Sequence, residues 1–138
     1  MKKMNNKGFS LIELIIVIAI MAILVAIIAP NLTKYLGKSK KNTDKKNADE
    51  IASNIQTAIT NYNLDHDTLL GNCTLTWNTS TGKVSTGNTS FDAEVNQTVG
   101  TVTKAKETGN MPSGSITYNA ADDSYEISVT VGNTTVNK

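Results

Sequence analysis

The sequence predicts an α+β fold: one long N-terminal α-helix, apolar in its first half and amphipathic in its second, packed on a small antiparallel β-sheet. Three observations predict it. Residues 9–29 form an apolar run broken only by Ser10 and Glu13. Ala48, Ile51, Ala52, Ile55, Ala58, Ile59 and Tyr62 then recur at steps of three and four, the signature of a helix with one buried face. Beyond residue 63, Thr, Ser, Asn and Gly surround short runs that alternate apolar and polar residues, as strands with one buried face do. The 138 residues divide into a leader (1–8), an apolar helix (9–30), an amphipathic helix (31–63) and a β-rich head (64–138). Of the 39% hydrophobic content, so much lies in the apolar run that the head must be built around a thin core.

The leader is polar, carries Lys2, Lys3 and Lys7, and ends in Gly8. The apolar run that follows would span about 31 Å as a helix, close to the thickness of bilayer hydrocarbon. Glu13 is its anomaly. An ionised side chain in a membrane segment costs roughly 2.5–3.5 kcal/mol, and no Lys or Arg lies between Lys7 and Lys34 to pair with it. A cut after Gly8 would create the missing cation, because Phe9 would then carry a free α-amino group one helical turn before Glu13. An ordinary secretory signal peptide fits less well: it needs a small-residue cleavage site at the end of the run, where Ala29 is followed by Pro30.

Lys7-Gly8-Phe9-Ser10-Leu11-Ile12-Glu13-Leu14, followed by an apolar helix, resembles the class III signal of type IV prepilins and pseudopilins. The resemblance extends in pattern to about Tyr62 and implies a pilin-like fold. It also implies cleavage after Gly8 by a membrane prepilin peptidase, methylation of the new N-terminal Phe9, and pairing of Glu13 with the Phe9 amine of a neighbouring subunit. Pro30 matches the proline that accompanies stretching of the helix during assembly in that family. The single cysteine, Cys73, departs from relatives that close a C-terminal loop with a disulfide.

From chemistry alone, Pro30 lacks the N–H that would bond the Ala26 carbonyl and disfavours helical geometry at Ala29, so a bend or local unwinding is expected there. Gly37 weakens the helix again. The Lys-rich stretch between Gly37 and Lys46 has no apolar stripe and reads as a solvated turn of helix or a frayed connection. Its lysines, with Lys34, oppose the leader lysines under the positive-inside rule. The peptidase implied by the resemblance places the N-terminus in the cytoplasm. Nucleic-acid contact through the lysines is weakly supported, since no aromatic residue that could stack a base lies among them.

In the head, Ser115–Asn119 and Ser124–Val131 read as a hairpin turning at residues 120–123, with Ile116, Tyr118, Tyr125, Ile127, Val129 and Val131 on one face. Weaker strands are expected at 74–78, near 83–84 and at 99–103, while residues 91–99 fit either a strand or a short helix capped by Ser90. Cys73 reads as a small buried hydrophobe, with an intersubunit disulfide or reactive thiol as the alternative. His66, between Asp65 and Asp67, reads as a solvated loop residue, and Asp122 and Asp123 as turn residues. No catalytic residue, metal site or cofactor is expected.

Charge is segregated. Residues 31–63 hold six Lys against three acids, residues 64–138 hold four Lys against eight acids, and there is no Arg for bidentate recognition of phosphate or bases. The resemblance implies a non-enzymatic filament subunit, first a single-pass plasma-membrane precursor and then part of an extracellular pilus on a bacterial cell. Its implied partners are further copies in a helical homo-oligomer, the peptidase and methylase, the assembly platform with its ATPase, and the membrane. The alternatives are a pseudopilin of a competence or type II secretion system and a membrane-anchored extracellular binding module.

Overall fold

The computed structural model describes residues 8–138; the remaining leader positions, with Lys2, Lys3 and Lys7, lie outside the described residues. The elements in chain order are α1 (Leu11–His66), β1 (Cys73–Trp77), β2 (Val84–Ser85), α2 (Thr89–Val99), β3 (Ser113–Asn119), β4 (Ser124–Val131) and β5 (Thr134–Asn137). Two compact units are present, Met1–Gly37 and Lys38–Lys138, and α1 contributes to both.

In the first unit α1 is helical without interruption through Pro30, so the unwinding expected there does not occur. The fixed φ of proline is itself compatible with a helix, and nearby side chains bond carbonyls of this turn. Thr33 Oγ1 donates to the Ala29 and Pro30 carbonyls, each at 3.0 Å, and Asn31 Nδ2 to the Ile27 carbonyl at 3.4 Å.

In the second unit the five strands form one antiparallel sheet in the order β2-β1-β3-β4-β5. The expected hairpin is present in register, with Ile116 opposite Ile127 and Tyr118 opposite Tyr125. The sequence reading missed β5, a short, half-buried strand that returns through Gly132 and Asn133. Gly132 has φ +64°, and a Cβ there would meet Asp44 Oδ2 at 3.0 Å, so the turn calls for glycine on both counts.

Residues 91–99 are helical. Asn88, not Ser90, caps α2, its Oδ1 accepting the Phe91 N–H at 3.1 Å, while Phe91 and Val95 bury one face four residues apart. The strand expected at 99–103 is absent. Asn96 occupies the outer edge of β2 with its side-chain amide, which accepts the Val84 N–H at 2.8 Å and donates to the Val84 carbonyl at 3.0 Å. Val102 N–H bonds only the Gly82 carbonyl, at 3.0 Å.

The helix stripe falls where its spacing put it. Ala48, Ile51, Ala52, Ile55, Ala58 and Ile59 are buried in one cluster with Leu75, Trp77, Phe91, Val95, Ile116, Ile127, Val129 and Val131, and Tyr62 packs at its margin. Of the two readings of the Lys-rich stretch, solvated helix and frayed connection, the structure shows the helix, with Lys38, Lys40, Lys41, Lys45 and Lys46 exposed. It contributes Asp44, which is fully buried and accepts the backbone N–H groups of Lys106 at 2.7 Å and Glu107 at 2.9 Å. The buried face therefore begins one turn before Ala48 with a carboxylate that satisfies two otherwise orphaned donors.

Urea unfolding of the detergent-solubilised chain, followed by emission of the single Trp77, tests this packing. Ile55→Ala should cost about 2–4 kcal/mol, and Asp44→Ala about 1–3 kcal/mol because two buried N–H groups lose their acceptor. Gln56→Ala, on the exposed face, should stay within about 0.5 kcal/mol; equal effects at positions 55 and 56 would refute the assigned face.

Candidate functional site

The candidate site is the start of α1 and the apolar surface that follows it. Ser10 precedes the first helical residue, Leu11, and the Leu14 N–H bonds the Ser10 carbonyl at 3.2 Å. Glu13, in the first turn, folds back so that its Oε2 accepts the Ser10 N–H at 2.9 Å. This is one arm of a capping box, and the carboxylate also lies at the positive end of the helix dipole. This partner is a backbone N–H and not a cation, and Ser10-Leu11-Ile12-Glu13 spells the motif that supplies it. Gly8 and Phe9 lie outside the helix, exposed.

From Leu11 to Ile28 the large apolar side chains are all exposed, and this stretch is long and apolar enough to cross a membrane. Pro30 lies at its end. Leu32, Tyr35 and Leu36 continue the exposed apolar surface beyond the proline.

The other side chains weighed from sequence serve local roles. His66 is the last residue of α1, not a loop residue; its ring stacks on Tyr62 with centroids 4.3 Å apart, and Nδ1 donates to the Tyr62 carbonyl at 3.0 Å. Asp122 accepts the Ser124 hydroxyl at 2.6 Å and Asp123, at φ +55°, the Tyr118 hydroxyl at 2.7 Å. That bond, followed by lesser contributions, raises the Tyr118 pKa above its usual value. Among the described residues no group of three or more His, Cys, Asp or Glu could hold a metal ion. Cys73, expected as a small buried hydrophobe, is half-buried and packs against the margin of the core. Burial first, and the Asp92 charge second, push its thiol up to about 11, which opposes the reactive-thiol alternative.

Residues 3–29 match the family described as the prokaryotic N-terminal methylation motif. The type IV major fimbrial protein FimA of Dichelobacter nodosus is 34% identical over 133 residues, covering 94% of this chain and 74% of that protein. The chain belongs to the type IV pilin family. This pilin is also 52% identical to the type IV major pilin protein PilA of Myxococcus xanthus over 43 residues, 31% of the chain and 20% of PilA. It is 36% identical to the competence protein ComGC of Bacillus subtilis over 64 residues, 46% of the chain and 61% of ComGC. The pilin thus spans about three fifths of the length of its competence relatives. No solved structure matches it.

The thiol supplies a test of the head's packing. At pH 8, alkylation of Cys73 in the native pilin should run about a hundredfold slower than in denaturant, following the thiolate fraction. Equal rates would show that the margin of the core around Cys73 is open.

Proposed function

We propose that this chain is the structural subunit of a type IV pilus. In this reading a prepilin peptidase cuts the plasma-membrane precursor between Gly8 and Phe9 and methylates Phe9. An assembly platform and its ATPase then polymerise the mature chain into a helical filament on the bacterial surface. The observation that carries the reading is a capped helix start next to an apolar surface left uncovered among the described residues: large side chains from Phe9 to Leu36 are 42–80% exposed. Such a surface needs lipid or other apolar helices around it, and identical helices can replace lipid once the chain leaves the membrane.

Glu13 links processing to assembly. Before the cut its carboxylate is held by the Ser10 N–H and the helix terminus, which offsets part of the cost of carrying it in lipid. After the cut a cationic amine stands at Phe9, and the carboxylate of one subunit can pair with the amine of its neighbour in the filament interior. Pro30 removes one backbone bond from α1, leaving a point at which the helix can stretch when subunits pack.

A second reading, a pseudopilin of a competence apparatus, is favoured by the similarity to the Bacillus competence proteins. Sheared surface filaments with this chain as bulk component support the first reading, and a short or transient fibre the second. Both give the chain a structural role, not a catalytic one.

N-terminal sequencing and intact mass of the mature protein should give a start at Phe9 with one extra methyl, and Gly8→Val should leave the precursor uncut. A mature start at Pro30 or Asn31 would overturn the reading. Glu13→Gln keeps an acceptor for the Ser10 N–H but removes the charge. It should be cut normally and stay in the membrane while filament yield falls, since breaking a buried ion pair costs on the order of 3–5 kcal/mol. Normal filaments from Glu13→Gln, with loss only in Glu13→Ala, would assign Glu13 to helix capping alone.

A further inference from the structure

The fold sharpens the charge segregation of the sequence into two poles. Lys38, Lys41 and Lys45 are exposed at steps of three and four on one flank of α1, with Lys40 and Lys46 beside them. The bonds from Asp44 to the Lys106 and Glu107 N–H groups bring the loop carrying exposed Lys104 and Lys106 to the same end of the unit. The acids there are Asp44, which is buried and engaged by that loop, Glu107 in the same turn, and Asp49 and Glu50 a turn further along α1.

The opposite pole is acidic. Asp65 and Asp67 are exposed at the C-terminal end of α1. The Tyr125 hydroxyl donates to the Leu70 carbonyl at 3.0 Å and accepts from Asn63 Nδ2 at 3.3 Å, which draws the β3–β4 turn, with exposed Asp122 and Asp123, to that end. Glu126 is exposed on the same hairpin, and neither 63–72 nor 117–126 contains a Lys. Lys138 donates from Nζ to Ser53 Oγ at 2.7 Å.

We propose that the basic pole, Lys38, Lys41 and Lys45 with Lys104 and Lys106, docks the acidic pole, Asp65, Asp67, Asp122 and Asp123, of a second copy of this chain. The proposal rests on the pilin reading and adds to it a contact between subunits outside the apolar segment. Opposite poles on one molecule, about 30 Å apart along α1 between Lys45 and Asp65, favour a head-to-tail contact, the kind that propagates as an open helix. A two-fold contact through either pole would set like charges against each other. Single exposed pairs are weak, but two opposed clusters steer subunits and fix their register. A nucleic acid is the poorer occupant: the chain has no Arg, and residues 36–61 hold no aromatic side chain to stack on a base.

The test uses the full chain in a host that assembles it into filaments; if the unaltered chain forms none, the pilin reading fails first. Lys38→Glu/Lys41→Glu/Lys45→Glu should be processed normally yet lower filament yield about tenfold, through like-charge contact. Adding Asp65→Lys, Asp67→Lys, Asp122→Lys and Asp123→Lys should restore most of that yield. Undiminished yield from the triple variant overturns the docking, and so does failure of the compensating changes to restore it, which would assign the lysines to anionic lipid or nucleic acid. A zero-length carbodiimide cross-link in unaltered filaments avoids any folding defect of the variants. It should join peptides carrying Lys41 or Lys45 to peptides carrying Asp65 or Asp67 of another copy, and its absence would also overturn the proposal.

Discussion

The structure of Lys38–Lys138 depends on one burial: the stripe of Ala48, Ile51, Ala52, Ile55, Ala58 and Ile59 against the inner face of the sheet. The sheet alone has one apolar face, made chiefly by Leu75, Trp77, Ile116, Ile127, Val129 and Val131, and a five-stranded sheet with a bare face is not a stable object in water. The helix alone would be soluble only on its polar side. The alanines at 48, 52 and 58 and the isoleucines at 51, 55 and 59 are all buried in the cluster shared with the strands. The core is closed by this pairing without a disulfide among the described residues.

Around that burial, polar side chains finish what strands and helix ends leave open. Asn96 acts as a surrogate strand on the outer edge of β2, Asn88 caps α2, and Asp44 accepts two N–H groups of the loop before β3. Each satisfies donors that would otherwise be costly where they lie, and each ties a loop to the helix or the sheet. The Asp44 contact also gathers lysines from two distant stretches at one pole, which makes the charge distribution a property of the fold as well as of the chain.

The apolar half of α1 obeys the opposite rule. Its large apolar side chains are exposed among the described residues, and its one charged group is held by a backbone N–H at the helix start. A carboxylate there is tolerable because the helix terminus presents unsatisfied donors and a positive dipole.

The sequence by itself determined the elements that rest on period and local chemistry. The 9–29 run, the stripe from Ala48 to Ile59 and the β3–β4 hairpin with its turn at 120–123 follow from residue spacing, because a helix or strand places side chains at fixed intervals whatever surrounds it. The methylation motif matched by residues 3–29 was equally legible, and the Ser10 cap was written there too. Tertiary structure decided the rest. Whether 91–99 became helix, and whether 99–103 paired, depended on which group reached the edge of β2, and Asn96 did. Strand β5 is too short to announce itself and exists because β4 offers it an edge. Pro30 left α1 intact because a proline removes one bond but does not forbid the helix. Asp44 looked like one charge among lysines; its burial depended on a loop some sixty residues away, a contact that no local pattern encodes.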